Sequence, residues 1–367
     1  MRAQILETFN APYKYTTSHP VPPQPEKHDL LIRVLAASYC HTDAVFASGQ
    51  MQPDLPRVGS HEFAGEVIAL GSAVSPNLGL TVGTRVGVPG RSYRPCGKCG
   101  ECKYEDGDAE GYSVYCSKAL NLGLTADGGF QDYVCVDSRQ VVSVPEGMEP
   151  KEVAPLMCAG VTIWAAIERA GDGIAQGNGR WLAISGAGGG LGHLGVQFAI
   201  KLGWNVVAVD AADKPLELLA KVVQDQGSSN GETMIIDART EDAHVVKCQI
   251  GCEELDEEKG ADAVLILPEG QKALDYATSL LKNHGTCVVV SFPEKGFHIS
   301  ARDLVFRDIK LVGSLVGRNH QLKAMLNFAA EHGVRAVSSY FSLDKLNDLV
   351  DSYHKGHGGK LVVDMSL

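Results

Sequence analysis

The sequence predicts an α/β protein of two parts: an irregular β-rich domain, and a doubly wound parallel sheet with helices on both faces. Three observations lead there. A chain of 367 residues exceeds what one hydrophobic core ordinarily organises. Before Pro150 the apolar segments are short, β-branched and bounded by Gly, Pro, Asp or Ser, with little helical period. Beyond Pro150 near-continuous apolar strands alternate with helical segments, the pattern of a parallel sheet covered on both sides.

In the first part, 29–38 (DLLIRVLAAS), 62–71 (EFAGEVIALG), 84–88, 130–137 and 140–145 read as strands. The proline-rich HPVPPQPEKH (19–28) reads as a surface loop. From 152 to 171, EVAPLMCAGVTIWAAIERAG carries apolar residues at helical spacing and stops at a glycine. Strands follow at 180–187, 205–211, 233–238, 261–267, 286–292 and 309–317, with helices at 191–203, 214–227 and 271–285. The tail from Arg318 holds two more helical stretches and a last strand, KLVVDM. The expected division is therefore 1–160, 161–317, and a return of 318–367 to the first domain.

The formal charge of −11, with 44% apolar and 21% charged residues, predicts a soluble protein and speaks against a nucleic-acid partner, which calls for a basic face. No apolar run approaches the ~20 residues that span a bilayer, so no membrane partner is expected. The opening MRAQILETFNAPYKYTT lacks the apolar stretch of a signal peptide, which points to the reducing cytoplasm. There, clustered cysteines are metal ligands more often than disulfides.

The stretch SGAGGGLGHLGVQ follows the strand at 180–187 and opens a helix. Gly186, Gly188, Gly189, Gly190, Leu191 and Gly192 make a tight turn whose amides can approach a pyrophosphate at the positive helix end. The spacing is GxGxxxG, one residue longer than the common dinucleotide fingerprint. The next strand ends in Asp210, a carboxylate suited to a ribose hydroxyl and repellent to a 2′-phosphate, so NAD(H) is favoured over its phosphorylated form.

Cys96, Cys99, Cys102 and Cys116 have the x2, x2, x13 spacing of a four-thiolate Zn²⁺ site, in a lobe spanning 94–116. Such a site leaves no open coordination position and is structural. A second set is dispersed: Cys40 in CHTD, His61 and Glu62 in GSHEFAGE, and Cys158 in CAGVT. Two thiolates and an imidazole make a zinc site with one open position, yet lone Cys and His residues also occur as core residues, and separation in sequence does not decide between these readings.

Taken together, CHTD (40–43), GSHEFAGEV (59–67), the CxxCxxC lobe, CAGVT (158–162) and SGAGGGLGHLGVQ (185–197) resemble the zinc-dependent alcohol dehydrogenases of the medium-chain dehydrogenase/reductase superfamily, nearest the NAD-dependent class of yeasts and bacteria. The resemblance implies a GroES-like catalytic domain and a Rossmann cofactor domain. It implies one catalytic zinc on Cys40, His61 and Cys158, one structural zinc, and hydride exchange between an alcohol and NAD(H). It places Glu62 near the metal, Asp43 behind a ligand, Thr42 on the substrate hydroxyl, His41 and Lys214 on the cofactor, and Thr162 near the nicotinamide. It also implies a homodimer or homotetramer. A zinc-free enoyl reductase of the same superfamily and a non-catalytic dinucleotide-binding protein are the alternatives.

Three departures from that pattern stand out. Val45 occupies the place of a relay imidazole. Gly90 or Arg91 falls where relatives on small alcohols carry tryptophan, which predicts a substrate larger or more polar than ethanol, with Arg91 or Arg94 available to pair with it. The acidic insertion between Cys102 and Cys116 is longer than usual and reads as a solvated loop. Cys135 and Cys287 are expected in the core, and Cys248 and Cys252 as free thiols.

Overall fold

The computed structural model describes residues 1–51, 54–103, 114–173, 175–227, 231–251, 259–356 and 358–367. Residues 104–113 of the acidic insertion, and Cys252, lie outside the described residues. The chain forms two compact units: Met1–Val161 with Arg318–Gly356 and Lys360–Leu367, and Thr162–Gly317 with His357–Gly359.

The first unit is built on a seven-stranded, largely antiparallel sheet whose central strand is Asp29–Tyr39. Nine of its eleven residues are buried, which accounts for the unbroken apolar run in its sequence. One edge pairs with Glu62–Leu70, setting Ser38 opposite Glu62 and Ala37 opposite Phe63. The other edge pairs with Tyr133–Asp137 along its first half and with Lys360–Asp364 along its second. Phe46, Phe63, Phe130, Leu30 and Ile32 fill the core with no solvent exposure. The tail thus completes a sheet begun near the N-terminus, through non-local pairing that only a returning chain can supply.

The second unit holds a six-stranded parallel sheet in the order Thr233–Asp237, Asn205–Asp210, Trp181–Ser185, Ala261–Ile266, Leu281–Val289, Lys310–Gly313. Helices Gly192–Lys201, Asp213–Asp225 and Gln271–Leu280 supply crossovers. The strand order runs outward in both directions from Trp181–Ser185, so the turn after that strand sits at the switch point where such sheets bind ligands. The expected α/β class holds, with a β-rich unit beside the parallel sheet.

Several local expectations need correction. The helical stretch from 152 to 171 is not one helix: Pro150–Val153 and a 3-10 turn Ala154–Met157 precede helix Ala159–Ala170, and Cys158 between them takes φ −121°, ψ −63°. Pro155 has no amide to donate, which favours the break. The strand expected at 140–145 shrinks to Val142–Ser143, and the short helices His41–Ala47, Ala243–Cys248 and Ala301–Phe306 were not anticipated. Cys135 is only half-buried, whereas Cys287 is a core residue. No single helix among the described residues is long and apolar enough to cross a membrane.

Candidate active site

The CHTD segment turns because Cys40 and Asp43 cap each other. The Cys40 amide donates to Asp43 Oδ2 at 2.9 Å, and the Cys40 sulfur accepts from the Thr42 amide at 3.3 Å. The other oxygen of the fully buried Asp43 accepts from the Ser60 amide at 3.1 Å and lies 3.5 Å from His61 Nδ1. Ser60 takes a left-handed φ of 70° just before strand Glu62–Leu70 and donates its hydroxyl to the Ser38 carbonyl at 3.0 Å. This corner turns His61 toward Cys40. Its Nε2 lies 3.3 Å from Cys40 Sγ and 3.3 Å from Cys158 Sγ, the latter delivered by the helix break. All three donor atoms fall within 4.8 Å of one another. Backbone packs tightly behind the histidine: a Cβ on Gly90 would sit 2.6 Å from His61 Cβ, and one on Gly128 1.9 Å from the Ser60 carbonyl oxygen.

The electrostatics of this cluster call for a cation. The Cys158 thiol, donating to it, holds Cys40 well below the ordinary thiol value, and the same hydrogen bond together with burial raises Cys158. Burial opposes a charged His61, yet Cys40, Asp43 and Cys158 outweigh it and raise the imidazole well above its usual value. Glu62, adjacent to His61, is ion-paired with Lys360, and both side chains are almost wholly buried. Burial pushes the Glu62 carboxyl up to about 7 against the pull of Lys360. Burial also opposes the Lys360 charge, but Glu62 and Cys40 hold that ammonium above its ordinary value. Glu62 Oε2 has no hydrogen-bond partner in the protein.

Cys96, Cys99, Cys102 and Cys116 form a second cluster with sulfurs within 4.8 Å of one another. Backbone amides point at the sulfurs: Lys98 and Cys99 to Cys96, each at 3.4 Å, and Cys102 to Cys99 at 3.4 Å. The Lys98 and Cys99 amides lower the Cys96 thiol to about 6. For Cys116 burial works the other way, but the Cys96 and Lys118 amides still bring it below its usual value.

In the second unit, strand Trp181–Ser185 runs into Gly186, whose φ of 76° a side chain would strain. A Cβ on Gly192 would come within 2.2 Å of the Gly186 carbonyl oxygen, so the helix starts hard against the turn. Gly189, Gly190 and Leu191, between them, are partly exposed or at the turn surface. Asp210 Oδ2 accepts from the Gly188 amide at 2.9 Å and Oδ1 from the Ala211 amide at 2.8 Å, bringing the acid to the glycine turn. Lys214 is exposed in the first turn of helix Asp213–Asp225, and Thr162 is buried in helix Ala159–Ala170. In the first unit, Thr42 is half-buried beside Cys40, and His41 is exposed with Nδ1 2.8 Å from the Tyr353 hydroxyl.

Residues 26–146 match the alcohol dehydrogenase GroES-like domain, and 190–331 the zinc-binding dehydrogenase domain. An alcohol dehydrogenase of Geobacillus stearothermophilus is 32% identical over 99% of this chain and 99% of its own. The chain belongs to the zinc-binding alcohol dehydrogenase family. A second family member, an alcohol dehydrogenase of Moraxella sp. (strain TAE123), is 32% identical, with 94% of each chain covered. The alcohol dehydrogenase of the archaeon Aeropyrum pernix has a similar structure, with a TM-score of 0.82 at 25% identity over 99% of this chain and 100% of that one. The acetophenone reductase of Geotrichum candidum, solved in complex with NAD, shares the fold (TM-score 0.78, 22% identity, 99% and 96% covered). As a zinc-binding alcohol dehydrogenase, the chain is an NAD-dependent oxidoreductase.

Both donor sets fit the zinc of this family. Four thiols served by backbone amides suit a closed tetrahedral ion, and two thiols with one imidazole suit an ion with an open position. Glu62 Oε2, buried without a hydrogen-bond partner, and the two sulfurs 3.3 Å from His61 Nε2 make a donor-rich pocket suited to a cation. The arginines expected to face a substrate are committed elsewhere. Buried Arg91 donates to Gln140 Oε1 at 2.9 Å and Asn319 Oδ1 at 3.2 Å, and Arg94 is ion-paired with Asp29. Sequence reasoning missed Lys360; nothing in its spacing ties it to Glu62.

Proposed function

We propose that this chain interconverts an alcohol with an aldehyde or ketone, using NAD(H), at Cys40, His61 and Cys158. The observation that carries this reading is the convergence of His61 Nε2 on two sulfurs at 3.3 Å each, from three separate stretches of chain. A zinc ion bound there would supply Lewis acidity to a carbonyl or hydroxyl oxygen, and a bound nicotinamide would supply the hydride acceptor or donor.

The chain's residues supply the rest. Cys40, Cys158 and His61 Nε2 would hold the ion, and Asp43, 3.5 Å from Nδ1, would help orient the ring. Thr42 would accept a hydrogen bond from the substrate hydroxyl and pass its own proton onward through ribose and water, or by another route, since Val45 offers no imidazole. Glu62, with one oxygen held by Lys360, keeps a carboxylate close to the ion for ligand exchange. The amides around Gly186, Gly188, Gly189, Gly190, Leu191 and Gly192 would receive the pyrophosphate, with Lys214 adding positive charge, His41 a further hydrogen-bonding group for the cofactor, and Thr162 a neighbour of the nicotinamide. Asp210, already oriented by the turn, accepts from the ribose hydroxyls and selects NAD(H). Cys96, Cys99, Cys102 and Cys116 hold a second, structural zinc.

The substrate is larger or more polar than ethanol. Support comes from the sequence, where Gly90 or Arg91 stands in the place of the tryptophan that relatives on small alcohols carry. The chain acts as a homo-oligomer: Lys310–Gly313 is an edge strand, and Val305, Phe306, Leu311 and Leu315 around it in sequence are exposed. None of the cysteines among the described residues is in a disulfide, in keeping with a cytoplasmic location. Metal analysis with turnover on an alcohol and carbonyl panel tests the reading. Two zinc ions per chain and NAD-linked turnover lost in Cys40→Ser are expected; full turnover in Cys40→Ser refutes it.

A further inference from the structure

A cavity of about 280 Å³ lies in the first unit, bounded by Ser75 to Leu80, Ser138 to Ser143, and the start of helix Asn319–His332. None of these residues belongs to either donor cluster. Its polar lining includes Ser75, Asn77, Ser138, Arg139 and Lys323, and among the described residues no carboxylate lines it. In a chain of net charge −11 that is a marked local exception.

The two cations differ. Arg139 is bound to Asp137 through Nε and Nη2 at 2.8 and 2.6 Å, so its charge is largely balanced from behind the wall. Lys323 is exposed and makes no hydrogen bond or ion pair among the described residues. Ser138 is 2% exposed, and its hydroxyl has no hydrogen-bond partner in the protein. A buried hydroxyl without a partner is an uncommon expense in a folded chain unless something else satisfies it. The wall is also held in place: Asn319 Nδ2 donates to the Arg139 carbonyl at 2.8 Å, and Asn319 Oδ1 accepts from Arg91. A pre-arranged wall reduces the ordering that a ligand would impose.

We infer that this cavity binds a small oxyanion, a phosphate monoester on a short hydroxylated carbon skeleton. A tetrahedral oxyanion offers acceptors to both the Ser138 hydroxyl and the Lys323 ammonium, and it prefers a lining free of carboxylates. The volume exceeds what bare phosphate fills, and Leu80 and Val142 give an attached carbon chain an apolar side. This site is separate from the metal pocket and does not depend on the proposed reaction.

Isothermal titration of the full zinc-loaded chain, in a phosphate-free buffer with saturating NADH to cover the glycine turn, tests the inference. Glycerol 3-phosphate, inorganic phosphate and glycerol are the probes. Saturable binding of glycerol 3-phosphate, weaker binding of phosphate and none of glycerol are expected. Lys323→Glu and Ser138→Ala should each weaken glycerol 3-phosphate at least tenfold while leaving the unfolding temperature of the ligand-free chain unchanged. Ser138→Ala removes a hydroxyl that bonds nothing in the protein, so its folding is not at stake. No saturable binding, or a loss below tenfold in either variant, overturns the inference.

Discussion

Replacing Lys360 with methionine should expose how strongly the metal pocket depends on a residue far from it in sequence. The Glu62 side chain is 0% exposed and that of Lys360 3%, so the variant strands a carboxylate in the interior. The Lys360 ammonium also donates to the Tyr39 carbonyl at 3.3 Å, a bond the methionine cannot replace. Removing one member of a buried ion pair costs about 3–5 kcal/mol. In a unit of this size each kcal/mol moves the unfolding temperature roughly 2–4 °C, so a fall of roughly 6–20 °C is expected. The companion Lys360→Met with Glu62→Leu removes both charges. Because buried pairs exchanged for apolar residues are often neutral or better, it should recover most of the loss. Urea and thermal unfolding of zinc-saturated protein, with zinc content measured for every variant, give the comparison. A single variant within about 1 kcal/mol of the parent at full zinc content, or a double variant no more stable than the single, refutes the reasoning.

Cys116→Ser should lower the zinc content from two to one per chain and make the segment around 96–116 the first site of proteolysis, as mass spectrometry of limited digests would show. Asp210→Asn weakens a charge-assisted contact worth about 1.5–3 kcal/mol, so KM for NAD⁺ should rise roughly 10- to 150-fold and discrimination against NADP⁺ should fall, measured by steady-state kinetics with both cofactors. With no indole at Gly90 or Arg91, kcat/KM for an aryl or polyhydroxy alcohol should exceed that for ethanol, and a strong ethanol preference would contradict the proposed substrate class. Alkylation of the zinc-loaded native protein at neutral pH, followed by peptide mapping, should modify exposed Cys248 and spare Cys287, whose thiol burial pushes up to about 12.

What the sequence made legible follows the range of the interactions involved. The glycine turn with Asp210 and the four lobe cysteines are governed by local spacing, and they appear as clusters in the structure. Parallel strands buried on both faces announce themselves as apolar runs, as Trp181–Ser185 does. The break at Cys158 was hidden because the apolar period continues through Ala154–Met157 and does not report a change of hydrogen-bonding partner. Arg91 misled for a different reason. An arginine reads as a surface charge until Gln140 and Asn319, distant in sequence, are seen to receive its guanidinium. Cys135 reads as core because its strand is apolar, but its own position faces partly outward.

The ion pair beneath the metal pocket also sets a timetable for biosynthesis. Lys360 follows Glu62 by 298 positions, whereas the lobe sulfurs of Cys96 and Cys116 are only 20 apart. At ribosomal speeds of about 5–20 residues per second, Glu62 waits roughly 15–60 seconds for its counter-charge, while the four-thiol lobe can capture its ion almost as soon as it emerges. A nascent chain should therefore acquire its two metals at separate moments, and the pocket with the open position is the later of the two to mature.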